Sequence, residues 1–229
     1  MASIIDSFKE VAGDKVSFFK LIVFVVPVYF TYRIYFEGKD WELFLLLFWS
    51  TLFFLFGFLV KVSNNVIMEK DKVLPYPNPF VLALASIKGI LAIGPLTFIG
   101  CLAAVWACSF INIIAWLDIT LKVIIWMIVA ALIINSFLMF AAKEKIIDAF
   151  NLKLFFENAG DLFVTILIFI IQISLANLFT VGLFGYVIFL VFGQSPVLEW
   201  FLSYVFVFNI GVFGHYMGQL HYETLGAVK

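Results

Sequence analysis

Charge is the scarcest property of this chain. Only 13% of its 229 residues are Asp, Glu, Lys or Arg, and 65% are hydrophobic, where a soluble domain carries about 25% charged residues. A water-soluble fold of this size cannot hide so much apolar side chain, because a large share of any domain surface must face solvent. Cysteine is scarce as well. Cys101 and Cys108 stand seven apart in one apolar run, about 10.5 Å along a helix axis, which is too far for a disulfide within one chain. They read as small packing residues and carry no information on redox compartment. The two histidines, His215 and His221, are six apart and turn away from each other around a helix. No cysteine or acidic cluster completes a metal site with them. A Ser-His-Asp order, a glycine-rich phosphate loop and an HExxH pattern are all missing. The expectation is therefore no catalytic residue, no cofactor and no metal. A basic patch with interleaved aromatics is also missing, so nucleic acid is excluded as a partner. The first apolar stretch ends at Tyr32-Arg33 without a small-residue cleavage site, so no cleavable signal peptide is expected.

What the chain does have is long apolar runs, cut by its few charges. A membrane crossing takes about 20 apolar residues. Leu43 to Val60, Lys88 to Asp118, Lys122 to Lys143, Leu162 to Leu198 and Trp200 to Leu220 each hold a charge-free stretch of that order. The expected fold class is all-α: a polytopic transmembrane helical bundle of six helices, forming one domain over 1–229. The spans fall at about 17–36, 43–60, 90–116, 121–142, 162–192 and 198–220. The fifth run is the awkward one, since Gly182, Gly185, Gly193 and Pro196 could end or break it; seven crossings is the alternative. The 30 Phe exceed what two interfacial belts need, so most face acyl chains or fill gaps between helices.

The segments between spans are amphipathic. Ile4, Ile5, Phe8 and Val11 make a stripe, continued by Ala12, Val16 and Phe19, with Asp6, Lys9, Glu10, Asp14 and Lys15 opposite. Such a helix lies in the headgroup region with its charges wet. Ile146, Ile147, Phe150 and Leu154 repeat the pattern before the fifth span, and Val62 to Lys72 is a third candidate. The chain thus reads as three units, each an interfacial segment followed by a hairpin. Eleven Lys fall on one face of this topology, against Arg33, Lys39 and Lys122 on the other. By the positive-inside rule both termini are cytoplasmic.

Candidate sites inside the spans are few. Arg33, Lys88 and Lys122 lie near expected span ends, where long side chains snorkel. No acid or base sits mid-span to relay protons or sense voltage. Asn112, Asn135, Gln172, Asn177 and Asn209 read as interhelical hydrogen-bonding glue rather than a solute path. Gly211, Gly214 and Gly218 line one face of the last helix and form a close-packing seam, either within the bundle or against a partner.

Several stretches resemble a family of prokaryotic polytopic membrane proteins known only as a domain of unknown function. They are Leu74-Pro75 after a charged interfacial stretch, the third span with Gly89 and Gly94, Ile147-Asp148-Ala149-Phe150, and Gly214-His215-Tyr216-Met217-Gly218-Gln219. The resemblance covers the last two thirds of the chain. It implies the membrane topology and a prokaryotic setting, and brings no activity. Function then divides between a non-catalytic scaffold, assembly factor or accessory subunit of a membrane complex, and a transporter or binding protein for a lipid or other hydrophobic substrate. The expected partners are membrane lipids and, in the first case, other membrane-protein subunits.

Overall fold

Short polar side chains start three of the helices. The Ser3 hydroxyl accepts from the Asp6 amide at 3.3 Å to open α1 (Ile4–Gly13). The Asp40 carboxylate accepts from the Leu43 amide at 2.9 Å to open α3 (Trp41–Ile67). Asn78 accepts from the Phe80 amide at 3.1 Å to open α4 (Pro79–Ser109), with Pro79 as its first residue. Each satisfies amides that a helix start leaves open, and proline there has no N–H to lose. α2 (Ser17–Glu37) stops at Gly38, whose φ of 63° is the left-handed cap glycine adopts most readily. The remaining elements are α5 (Ala115–Lys143), a 3₁₀ turn (Ile146–Phe150), α6 (Lys153–Asn177), a π-helical stretch (Leu178–Phe184), α7 (Gly185–Phe192) and α8 (Pro196–Leu225). This computed structural model describes residues 3–14, 16–38, 40–70, 72–111 and 115–225, without the side chains of 115, 153–154, 157–159, 161–163, 166 and 223–225. Among the described residues every element is helical, and six helices are long and apolar enough to cross a membrane.

The hub is α3, which packs on α2, α4, α5 and α8. Contacts along it fix the directions. Phe24 and Thr31 of α2 meet Phe58 and Thr51, so α2 and α3 are antiparallel. Gly214 and Gly218 of α8 meet Val62 and Val66 in the same order, so α8 runs parallel to α3. The bundle therefore has two unlike ends. One carries α1, Lys20, Lys61, Lys70, Lys72 and Lys143; at the other Trp41, Trp106 and Trp116 are exposed and Trp200 stacks on Tyr29.

Several boundaries differ from the sequence reading. The third long helix spans 79–109, not 90–116, because the Asn78-Pro79 cap starts it early; this puts Lys88 inside it rather than at its start. The second continues past Lys61 to Ile67, so Val62, Ser63, Asn64, Asn65 and Ile67 are bundle interior, not an interfacial segment. The segment holding Ile146, Ile147 and Phe150 is a single 3₁₀ turn that buries Ala149 and leaves Ile147 83% exposed. The fifth run neither breaks nor makes two crossings. At Gly182 it widens into π-helical turns, and it ends at Gly193 before Pro196 opens α8.

The first helix is also placed differently. α1 lies on α8, and the face it buries is Ile4, Ser7 and Val11, with Phe8 against Phe208 at 5.4 Å between ring centroids. Ile5, expected on the same stripe, is 63% exposed. The two positions make a test. Val11→Asp should free α1 and speed its amide hydrogen exchange, because a buried charge without a partner cannot stay. Ile5→Asp should leave the exchange of α1 unchanged. Equal exchange in both variants would mean that α1 is not docked on the protein.

Candidate functional site

The glycine seam is a contact within the chain. A Cβ at Gly214 would lie 2.9 Å from Val62 Cβ, and one at Gly218 would lie 2.5 Å from Val66 Cβ. Gly211 faces α1 and the loop instead, with Val11 Cγ1 at 3.4 Å from its would-be Cβ. A second close crossing is at Gly57, where a Cβ would collide with the Leu82 carbonyl oxygen of α4. Gly57 is the one glycine in the second apolar run, and that isolation was the available signal for it.

Beside the seam, the lysine-bearing end holds the densest polar network. Asp14 ends α1 and Lys20 begins α2, and their side chains are only 6% and 5% exposed. Lys20 Nζ donates to Asp14 Oδ1 at 2.9 Å and to the Leu74 carbonyl at 2.8 Å. The Leu74 amide donates to Asp14 Oδ2 at 3.0 Å. The ion pair thereby satisfies both peptide groups of a fully buried loop residue. This corrects the sequence reading of Asp14 as part of a wet face. Further along α3, Lys61 pairs with Glu144 at 2.6 Å, and Asn64 donates to the Ala141 carbonyl at 2.8 Å near the end of α5. Asn65 donates to the Val73 carbonyl at 3.1 Å, and Lys70 donates to both amide oxygens at 3.0 Å. In the 70–76 loop the Lys72 ammonium donates to the Tyr76 hydroxyl at 2.8 Å and holds that phenol below its ordinary pKa.

α1 is clasped to α8 by two polar contacts. His215 Nδ1 is 3.0 Å from Ser7 Oγ, and the Ser3 amide donates to Gln219 Oε1 at 3.0 Å. Ser7 also donates to the Ser3 carbonyl at 3.0 Å, and the neutral imidazole tautomer with its proton on Nδ1 would complete the chain of donors. A serine beside a histidine is the raw material of nucleophilic catalysis. A substrate carbonyl, however, needs room about 3 Å from the nucleophile, and Ser7 is 0% exposed beneath α1. The pair therefore serves as a clasp. The sequence reading passed over Ser7, although it interrupts the apolar stripe between Ile4 and Val11.

The other expected positions are scattered. His221 is buried in α8 with Nδ1 unbonded, about one and two-thirds turns from His215. Asn135 donates to the Asn151 carbonyl at 3.4 Å, tying α5 to the loop after it rather than to another long helix. Asn209 of α8 donates to Asn177 of α6 at 2.5 Å, the one interhelical amide pair among the described residues. Asn112, Lys15, Lys39 and Lys229, and the side chains of Lys153, Leu154 and Leu162, lie outside the described residues. Cys101 and Cys108 are free and half-buried on α4.

No known family, curated protein or solved structure matches this chain. The functional reading therefore rests on the residues and their geometry.

Proposed function

We propose that the chain is a non-catalytic multi-pass protein of a prokaryotic cytoplasmic membrane, a scaffold, assembly factor or accessory subunit that offers a helix to a partner. The membrane setting is supported by the six long apolar helices and by the unlike ends of the bundle. Tryptophans mark an interface and lysines the cytoplasmic side, so both termini face the cytoplasm. The prokaryotic placement rests on the resemblance described above.

The observation that carries the partner role is the fifth long helix. Over its most apolar stretch, within Leu167–Phe192, 6% of residues are buried, against 22% to 39% in the other five. In lipid, helices associate by close packing rather than by a hydrophobic force. A helix that packs so little on its own chain is the one free to pack on another. Photo-crosslinkers at Phe179 and Leu190 should capture one stoichiometric membrane protein, and one at Ile99 of α4 should not. Lipid adducts alone at all three sites would overturn the role. Cysteines placed at Gly193 and Tyr76 test orientation in the same cells: the first should label from outside and the second should not.

A second reading, handling of a lipid or other hydrophobic substrate, is favoured by one feature. A groove of about 810 Å³ lies among α3, α4 and α5, lined by Trp49, Phe53, Gly89 and Thr97.

A further inference from the structure

Toward the tryptophan-bearing end, α2, α3 and α8 form an open, groove-like cavity of about 420 Å³. That is within the range of about 300–1,000 Å³ typical of small-molecule sites. Its walls are apolar, with Phe48, Leu55 and Phe206 among them, and no charged side chain lines it. Tyr32 and Tyr35 line it nearer the end of α2, and three aliphatic hydroxyls interrupt its walls deeper in: Thr31, Thr51 and Ser203, each less than a tenth exposed. From their places in the helices they stand about 9 to 15 Å in from the helix ends.

The protons of these hydroxyls are all committed. Thr31 donates to the Pro27 carbonyl at 2.7 Å, and Ser203 donates to the Glu199 carbonyl at 2.8 Å. Thr31 Oγ1 and Thr51 Oγ1 are 3.4 Å apart. Since the Thr31 proton is engaged with Pro27, Thr51 is the donor of that contact. A hydroxyl has one proton and two lone pairs, so these three offer the cavity acceptors only. A ligand group seated on these three hydroxyls must bring a donor. It must also be uncharged, because an ion in an apolar, uncharged cavity has nothing to replace its hydration. A carboxylate fails on both counts and an ammonium on the second.

We propose that this cavity binds a long-chain alcohol, its hydroxyl directed at Thr31, Thr51 and Ser203 and its chain against the apolar walls. The proposal rests on the membrane setting above and is independent of the scaffold role.

The test places the intact protein in phosphatidylcholine nanodiscs with a diazirine-bearing hexadecanol, its methyl ether and the matching fatty acid. The alcohol should label peptides of α2, α3 or α8 at least tenfold more than the ether or the acid. A site built to bond a hydroxyl rejects a close analogue that lacks it, because buried polar groups are left unpaired. Leu55→Trp should fill the cavity and abolish the labelling. Thr51→Val with Ser203→Ala should reduce it several-fold and leave the melting temperature near the parent's, which keeps the test decisive if the tryptophan variant does not fold. Equal labelling by alcohol and ether would overturn the site and mean that acyl chains simply fill the space. Labelling that survives both the filled cavity and the double variant would overturn it too. A protein that fails to enter nanodiscs at all would remove the membrane setting and this site together, a result distinct from incorporation without discrimination.

Discussion

Asp14→Ala should be among the most damaging single substitutions in the chain. It leaves the buried Lys20 ammonium without a counter-charge, with the Leu74 carbonyl and the face of the Tyr76 ring, 5.3 Å away, still beside it, and it strips the Leu74 amide of its acceptor. Breaking a buried ion pair by removing one partner costs about 3–5 kcal/mol, because the remaining charge is uncompensated. For a chain of this size that corresponds to roughly 10 °C in melting temperature. The informative measurement is the cycle of Asp14→Ala, Lys20→Met and both together, by thermal unfolding in mild detergent. The double variant should be more stable than Asp14→Ala alone, since it removes the stranded charge along with the pair. Additive losses, or a single variant that melts like the parent, would mean that the pair is solvated. The α1–α2 corner would then need another explanation.

The second large effect is expected where backbones cross. Gly57→Ala drives a methyl into the Leu82 carbonyl, and Gly214→Leu drives a whole side chain into Val62 and the Leu59 carbonyl. Neither neighbour can swing away: a backbone carbonyl is fixed by its helix, and a β-branched valine has one favoured rotamer there. Overpacking of this kind costs about 1–3 kcal/mol and occasionally more. Two controls separate packing from helix propensity. Gly94→Ala, whose new carbon would meet only Ile90 Cγ2 at 3.9 Å, should be neutral or gain up to about 1 kcal/mol. Phe213→Leu gives up one ring contact, to Phe169 at 5.0 Å between centroids, and should cost less than Gly214→Leu. Because the seam joins two helices of one chain, Gly214→Leu should lower the melting temperature of the monomer. If it instead left the monomer intact and only dissolved a complex, α8 would be packing on a partner and not on α3.

The long helices were legible because absence of charge is a strong signal. Runs such as Leu43 to Val60 have no competing reading. The same signal misplaced helix ends, since it treated the charged residues as stops. Lys61, Asn64 and Asn65 did not stop α3. Glu144, the Ala141 carbonyl and the Val73 carbonyl supply their partners, and nothing local in the sequence announces those of Lys61 and Asn64, which lie 83 and 77 residues away. Charge patterning likewise placed Asp14 in water, because the helical period says which face a residue is on but not whether another helix covers that face. The glycine face of α8 could be read from spacing alone. That α3 would fill it could not, since Val62 and Val66 are unremarkable in sequence.

The clasp between α1 and α8 ties the chain's first helix to its last. Ser7 and His215 are 208 residues apart. At a synthesis rate of about 5–20 residues per second, α1 exists for roughly 10 to 40 s before its receptor surface has been made. During that interval its apolar side, with Ile4, Phe8 and Val11, lacks the α8 surface that covers most of it, and only the minor contacts to α2 and α6 can form. It must wait against lipid or in the keeping of a chaperone. Docking of α1 on α8 therefore waits for α8, and it happens only to chains in which α8 has inserted the right way round. A quality-control protease that recognises an undocked α1 would in effect be reading whether α8 had been made and inserted.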